Sequence, residues 1–589
     1  MTASAAMVAL SVVLTRYVGF APEGTPFRFE IGFLPIAFVG YLFGPFYSAV
    51  SYTVADLIGS LLSGYAPYLP ITLMQTLTGA VFGFCFYRRK PTLLRISLTF
   101  TAIAAVIDIL AKAPILSTLY GWEIGSTLLL RLYNALVNLP IRIVLFYFSA
   151  RAMKKPLKKI FGKEKMKDFK DYANSFQAVT VPGLERISAL TRKLGSPEEG
   201  LRFIHIAGTN GKGSTSACMA AILEDAGYTV GKYISPNLIK VNERISVSGE
   251  DIPDSDLERI LSMIEPLSKE VQGELGIAPT QFEIWTAAAF VYFKERKCDF
   301  VVLEVGLGGE LDATNVIKTN VIEIITRLGI DHKQYLGDTI ESVASAKAGI
   351  IKERNETSAT VTCSQDPSAM KVILDKCESL GKECIVPEPK PIASEGVCER
   401  FYLEGVGEIL CGIPGYHQIE NASLAAAAAL RMSISPEHIK SGIARAQNPA
   451  RFELIRKDPD VIYDGGHNEN GITALNKSLE RYYHGCPKTV VFACMADKEI
   501  KESLSLLSQG VTEFIFTTVK DNPRAESAKG LQKKAEGFGF FGEAYEDIGE
   551  AYEAAIKKNR LTVICGSLYL YKDLREFLDN NKTRKEMRK

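Results

Sequence analysis

Charge is spread over this chain as if its two parts were built for different solvents. Residues 1–150 carry nine Lys/Arg and five Asp/Glu, while the other 439 of the 589 residues carry 121 charged side chains. An ionised side chain at mid-bilayer costs about 3 kcal/mol, so a charge-poor stretch of repeated apolar runs belongs in lipid. The charge-rich remainder belongs in water. A net charge of +1 sets up no field for a polyanion, and no nucleic-acid partner is expected. The 11 cysteines are scattered, without a CxxC pair or a Cys/His cluster of zinc spacing, which points to free thiols in a reducing cytosol. The N-terminus has neither a basic region nor a cleavage site of the signal-peptide kind, so its apolar run reads as a retained helix.

About 20 apolar residues cross a bilayer. That rule predicts six spans, at roughly 3–20, 31–50, 51–64, 70–87, 94–113 and 127–149, in a multi-pass protein of the cell membrane. Gly44-Pro45 and the stretch from Gly64 to Pro70 punctuate them. Arg88-Arg89-Lys90 lies between the fourth and fifth spans, and Lys154, Lys155, Lys158 and Lys159 follow the sixth. Six crossings put both basic clusters on one side, which the positive-inside rule makes cytoplasmic. The charged remainder is then expected in the cytoplasm, after a basic linker at 151–167 that faces lipid headgroups. Arg16, Asp56, Asp108, Arg131 and Arg142 lie in or near spans and are either functional or, at span ends, snorkelling. Ala5 and Ala9, with Ala3 and Ala6 nearby, set small residues at helical spacing, as a helix-docking face has.

The segment Phe29-Glu30-Ile31-Gly32-Phe33-Leu34-Pro35-Ile36, the Phe43-Gly44-Pro45 turn and Asp56-Leu57-Ile58-Gly59 resemble the substrate-binding S components of energy-coupling factor transporters, in particular the folate-specific kind. The resemblance implies a folate-binding bundle. It also implies docking, through the small-residue face of the first helix, on a transmembrane coupling protein and two ATPases. An arginine in such a bundle pairs well with a folate carboxylate.

The soluble part presents a buried strand, Phe203-Ile204-His205-Ile206-Ala207. This strand runs into Gly208-Thr209-Asn210-Gly211-Lys212-Gly213-Ser214-Thr215 and then an Ala-rich helix. Backbone N–H groups of such a loop and the helix N-terminus face an anion, and Lys212 adds charge, which makes a nucleotide phosphate site. Gly213 follows Lys212, so the spacing departs from GxxxxGK[ST]. Further segments follow in order: Tyr233-Ile234-Ser235-Pro236-Asn237; Leu303-Glu304-Val305-Gly306-Leu307-Gly308-Gly309-Glu310-Leu311-Asp312-Ala313-Thr314-Asn315; Gly329-Ile330-Asp331-His332; Ala346-Lys347-Ala348-Gly349; Gly415-Tyr416-His417-Gln418-Ile419-Glu420-Asn421; Arg451-Phe452-Glu453; and Tyr463-Asp464-Gly465-Gly466-His467-Asn468.

Together these closely resemble folylpolyglutamate synthase/dihydrofolate synthase, of the Mur ligase superfamily, over nearly all of 168–589. The implied architecture is multidomain. A six-helix transmembrane bundle at 1–150 precedes a Mur-ligase-type α/β P-loop ATPase domain with a doubly wound sheet at 168–448. A smaller C-terminal α/β domain occupies 449–589. The resemblance implies ATP on the 208–215 loop, with Asn421, Arg451, Asp464 and His467 reaching it across the domain cleft. It also implies one Mg²⁺ on Ser235 and Glu304, a second on His332, and a carbamylated Lys347. A histidine is an unusual ligand for a hard ion. Lys212, Lys347 and His332 are thereby expected to be catalytic. Asn237, Glu310 and Gly466 stand where the family commonly has His, Arg and Ala. Glu283 borders the expected substrate pocket or belongs to the packing of Phe282.

The chemistry implied is activation of a folate γ-carboxylate by ATP and its attack by the amine of L-glutamate. A joint role in folate uptake and conjugation explains why both halves share a chain. Two alternatives keep the enzyme: dihydropteroate as its substrate, and a membrane part that only anchors. A cell-wall Mur ligase fits the motifs worst.

Overall fold

Apolar runs near the N-terminus become helices because lipid leaves a backbone no other donors or acceptors. The computed structural model describes residues 2–15, 31–64, 66–87, 92–160, 181–353, 356–496, 500–522 and 524–586. It divides into two compact units, Met1–Lys167 and Asp168–Lys589.

The first unit holds α1 (Thr2–Val13), α2 (Phe33–Phe43), α3 (Pro45–Leu62), α4 (Leu69–Phe86), α5 (Leu93–Tyr120, with a π-helical stretch at Ile103–Ala111) and α6 (Ile124–Ile160). Among the described residues three helices are long and apolar enough to cross a membrane: Leu69–Phe86, Leu93–Tyr120 and Ile124–Arg151. These three coincide with the fourth, fifth and sixth of the crossings expected from the sequence. The expected break between spans at 50/51 lies instead at Gly44, whose φ of +91° turns the chain, with Pro45 opening α3. Close approach of α3 and α4 depends on glycine: a Cβ on Gly83 would lie 2.2 Å from Pro45 Cα. Phe33, Phe82, Phe86, Phe100 and Phe146 form an aromatic core.

Of the charged candidates, Asp108 accepts from Lys112 at 2.7 Å and from Arg142 at 2.8 Å. This ion-paired cluster replaces the snorkelling reading for Asp108 and Arg142. Asp56 accepts from Thr72 at 2.7 Å, and Arg131 is half-buried. Ala6 and Ala9 are exposed on α1. The side chains of Ala3 and Ala5, the residues Arg16 and Arg88-Arg89-Lys90, and the side chains of Lys154 to Lys159 lie outside the described residues.

The second unit is built on an eight-stranded sheet, in which β1 (Phe203–Ala207), β2 (Val230–Tyr233), β5 (Phe300–Glu304), β6 (Ile322–Ile325), β7 (Ala359–Thr362) and β8 (Glu383–Ile385) run parallel. The short β3 (Ile245–Val247) and β4 (Glu250–Asp251) continue one edge antiparallel. The order is β4-β3-β2-β5-β1-β6-β7-β8. Alternate residues serve opposite faces. Ile204, Ile206 and Val302 pack with α7 (Lys212–Asp225) and α9 (Gln418–Arg431). Phe203, Val301 and Leu303 pack with α8 (Gln281–Glu295) on the other side. A parallel sheet buried on both faces is the doubly wound solution.

A three-stranded antiparallel sheet follows, formed by β9 (Lys390–Glu395), β10 (Cys398–Leu403) and β11 (Gly407–Leu410). Next come β12 (Glu453–Arg456), β13 (Val461–Asp464), β14 (Lys488–Phe492), β15 (Val511–Phe516), β16 (Gly542–Ala544) and β17 (Leu561–Cys565). They form a six-stranded sheet ordered β12-β13-β17-β14-β15-β16. Helix α10 (Glu469–Tyr482) leaves the loop after β13.

Candidate active site

Four loops meet because their strands are neighbours in the order β2-β5-β1-β6 and all point the same way. Their carboxyl ends carry Ser235, Glu304 with Gly306, the Gly208–Thr215 loop and Asp331-His332. This is where open parallel sheets bind ligands.

The phosphate-type loop is tightly shaped. Gly208 (φ +151°) has Thr326 Oγ1 only 1.8 Å from where a Cβ would sit, and Gly211 (φ +93°) has Asn421 Oδ1 at 2.2 Å. Thr209 and Asn210 donate their N–H groups to Arg327 O at 3.0 and 3.1 Å. Lys212 Nζ donates to Gly208 O at 3.0 Å, and Lys347 Nζ reaches the same carbonyl at 2.9 Å. Asn448 Nδ2 donates to Ser214 Oγ at 3.1 Å, and Thr215 Oγ1 to Asn421 O at 3.4 Å. Gly208, Thr209, Lys212, Asp331, His332 and Lys347 line one small chamber. It lies beside a cleft of about 920 Å³ that Ser235, Glu310, His332 and His467 line.

The electrostatics follow from burial. Lys347 is buried, and desolvation, reinforced by Lys212, pulls its ammonium pKa down to about 7. Glu304 is buried, and desolvation pushes its carboxyl up to about 7 against the pull of Lys212 and Arg451. Its Oε2 has no hydrogen-bond partner and lies 3.7 Å from where a Cβ on Gly213 would sit. An unmet buried carboxylate oxygen beside a phosphate-type loop fits a magnesium ion, which takes one or two carboxylates and leaves its other positions to phosphate and water. Among the described residues no three His, Cys, Asp or Glu gather as a ready-made metal cage.

The remaining expected residues stand as follows. Asn421 Nδ2 donates to Gln418 Oε1 at 2.9 Å. Asp464 accepts from Phe452 N at 2.8 Å and Gly466 N at 2.7 Å, so its carboxylate ties the Arg451 turn to the His467 turn. Arg451 Nη1 lies 3.2 Å from a Cβ built on Gly465. His467 Nδ1 sits 2.9 Å from Gly465 O. His332 is exposed, with a left-handed φ of +54°. Glu283 is buried, closes a capping box with Thr280 and pairs with Arg186 at 3.1 Å. Three polar residues went unassigned at the sequence level: Asp331, Asn448 and Asn468. A helix-capping Asn at the end of Asp-Gly-Gly-His-Asn was a legible signal for Asn468; Asn448 offered none.

Family models match at three places. Residues 1–184 match the ECF transporter, substrate-specific component. Residues 262–429 match the Mur ligase middle domain, and 450–568 the Mur ligase glutamate ligase domain. Dihydrofolate synthase/folylpolyglutamate synthase of Bacillus subtilis is 37% identical over 414 residues, covering 67% of this chain and 95% of that protein. Folylpolyglutamate synthase of Lacticaseibacillus casei is 33% identical over 433 residues, covering 70% and 98%. A Mycobacterium tuberculosis folylpolyglutamate synthase solved with ADP and AMPPCP superposes with a TM-score of 0.62 at 30% identity, covering 67% and 95%. Fold and site define an ATP-dependent ligase of the Mur type. The chain belongs to the folylpolyglutamate synthase/dihydrofolate synthase family, and it carries an S-component region of an energy-coupling factor transporter at its N-terminus.

Proposed function

We infer that this protein couples folate uptake to ATP-dependent addition of L-glutamate, which traps the vitamin as a polyanion. The observation that carries this reading is the convergence of Lys212 and Lys347 on the Gly208 carbonyl, within a loop that faces the unmet carboxylate of Glu304.

The residues divide the work. Lys212 and the amides of Gly211–Ser214 hold phosphate and offset charge that grows as phosphoryl passes to the folate γ-carboxylate. Asn421, beside the loop itself, and Arg451, Asp464 and His467, from across the cleft, hold the rest of ATP. Ser235 and Glu304 hold one Mg²⁺ and His332 faces a second. The ions, when bound, supply Lewis-acid neutralisation of the phosphates. Lys347, with an ammonium pKa drawn to about 7, is neutral often enough to add to CO₂. The new N–C bond yields a carbamate and releases a proton, turning a cation into a carboxylate-like arm. The amine of L-glutamate then attacks the acyl phosphate, and phosphate leaves.

We place the membrane bundle at 1–150 with six helices, its basic flank at 151–167, the ATPase domain at 168–448 and the smaller domain at 449–589. The bundle binds folate, docks on a transmembrane coupling protein with two ATPases, and holds the ligase domains on the cytoplasmic face. The test is ATP- and Mg²⁺-dependent incorporation of labelled L-glutamate by the detergent-solubilised full chain, with tetrahydrofolate and dihydropteroate offered in parallel. Incorporation on tetrahydrofolate is expected. Incorporation on dihydropteroate alone would make the chain a biosynthetic dihydrofolate synthase, and incorporation on neither would overturn the assignment.

A further inference from the structure

The start of α10 bonds both to the phosphate loop and to the Asp331–His332 corner. Asn468 caps that helix, its Oδ1 accepting from Gly471 N at 2.9 Å. With the oxygen so committed, its Nδ2 must donate, and it does so twice: to Asn210 Oδ1 at 3.2 Å and to Asp331 Oδ2 at 3.2 Å. Asp331 Oδ1 in turn accepts from His332 N at 2.8 Å. Asn210 uses its oxygen for Asn468, and its buried Nδ2 has no hydrogen-bond partner. A donor held inside a phosphate-type loop without a partner is an unmet demand that an anion oxygen satisfies. Packing reinforces the contact: Gly329 has no space for a side chain, since a Cβ would lie 1.7 Å from Asn470 Nδ2. Thr209 Oγ1 bonds both Gly329 O at 2.9 Å and Gly329 N at 3.1 Å. The loop, the corner and the helix start therefore form one continuous polar seam.

We propose that Asn468 is a positioning residue that latches the C-terminal domain onto the phosphate loop, so that seating phosphate on the loop and closing the domain cleft are one event. Phosphate engaging Asn210 Nδ2 fixes the amide plane. That orients Oδ1 toward Asn468 and brings Gly466-His467 with it. The same amide fixes Asp331, and through it the backbone of His332. The inference rests on the loop being a nucleotide site, as proposed above.

Two variants separate latch from cap in the full chain in detergent. Asn468→Ser keeps a capping oxygen but is too short to reach the loop. Asn468→Asp keeps the cap and sets a carboxylate against Asp331 and Asn210 Oδ1. Hydrogen exchange is followed over 208–216 and 466–472, with and without β,γ-methylene ATP and Mg²⁺, together with kcat and KM. In the wild type the nucleotide should slow exchange in both segments; in both variants it should slow exchange only in 208–216. Melting should stay within about 2 °C of wild type. Glutamate ligation should lose about tenfold or more in kcat, with KM for ATP changed less than about threefold. Protection of both segments in the variants, or kcat within about twofold of wild type, overturns the latch. So does a shared large fall in melting temperature, which leaves Asn468 as a helix cap alone. A wild type that ligates no glutamate contradicts the enzymatic reading instead, and the latch is then decided by the exchange pattern.

Discussion

At the scale of single residues, burial sets the chemistry. Lys212 is the one side chain of the 208–215 loop that carries a full positive charge to the phosphate position proposed above. Lys212→Ala should cost at least about tenfold in kcat for glutamate ligation, measured with saturating ATP; a smaller loss would remove the loop from the mechanism. His205 shows the same physics away from the chemistry. Its Nε2 lies 2.9 Å from Thr314 Oγ1, which donates to Asp312 at 2.6 Å, so His205 is the donor. Burial, with Lys352 adding to it, lowers its pKa from 6.5 to about 3. The unfolded chain therefore binds the extra proton between those two values, and stability falls as pH drops below about 6.5. Denaturant unfolding at pH 7 and pH 5 should show the wild type losing about 2 kcal/mol more than His205→Gln over that interval. The His205 strand position was legible as a buried apolar run. Its proton partner, 109 residues away, was not, because nothing local in the sequence couples them.

At the scale of elements, short-range signals did well where geometry is short-range. The strand–glycine loop–helix at 203–225 was readable because each part sits beside the next in the chain. The helices at 69–86 and 124–160 were readable from their apolar length. The break at Gly44 is different: the dipeptide marked a turn, yet the expected span ran through it, since apolar content continues on both sides. What settles the break there is that α3 must approach α4 closely. Gly83→Ala places a Cβ 2.2 Å from Pro45 Cα and 2.6 Å from Gly44 C, against backbone that has no rotamer to yield. Overpacking of this kind costs about 1–3 kcal/mol, read as a fall in the melting temperature of the detergent-solubilised bundle. An unchanged melting temperature would mean the helix pair separates freely.

At the scale of the whole molecule, one chain joins a membrane region to a ligase. Tethering raises the concentration of a delivered ligand at the enzyme without any new contact. In a folate-transport-deficient host supplied with the energy-coupling module, the intact chain should retain labelled folate after washout. The Lys212→Ala chain should take it up and lose it. Equal retention by both would remove trapping from the account. Expressing the two halves as separate chains should lower the initial rate of glutamylation at limiting external folate, as product analysis of cell extracts can measure.

The doubly wound class came from the resemblance of the ordered motifs to a family, whereas the two solvents, the two regions and the glycine loop between strand and helix were determined by sequence alone. They rest on composition and on residues a few positions apart, where hydrophobicity and backbone geometry act locally. Only the tertiary structure decided which groups share a carbonyl, as Lys212 and Lys347 do at Gly208. It alone set Asp464 to holding two backbone turns together, and it joined Asn468 to Asn210 across 258 residues. Such contacts form when strand order and domain packing bring distant loops to one end of a sheet, and no local pattern encodes that meeting.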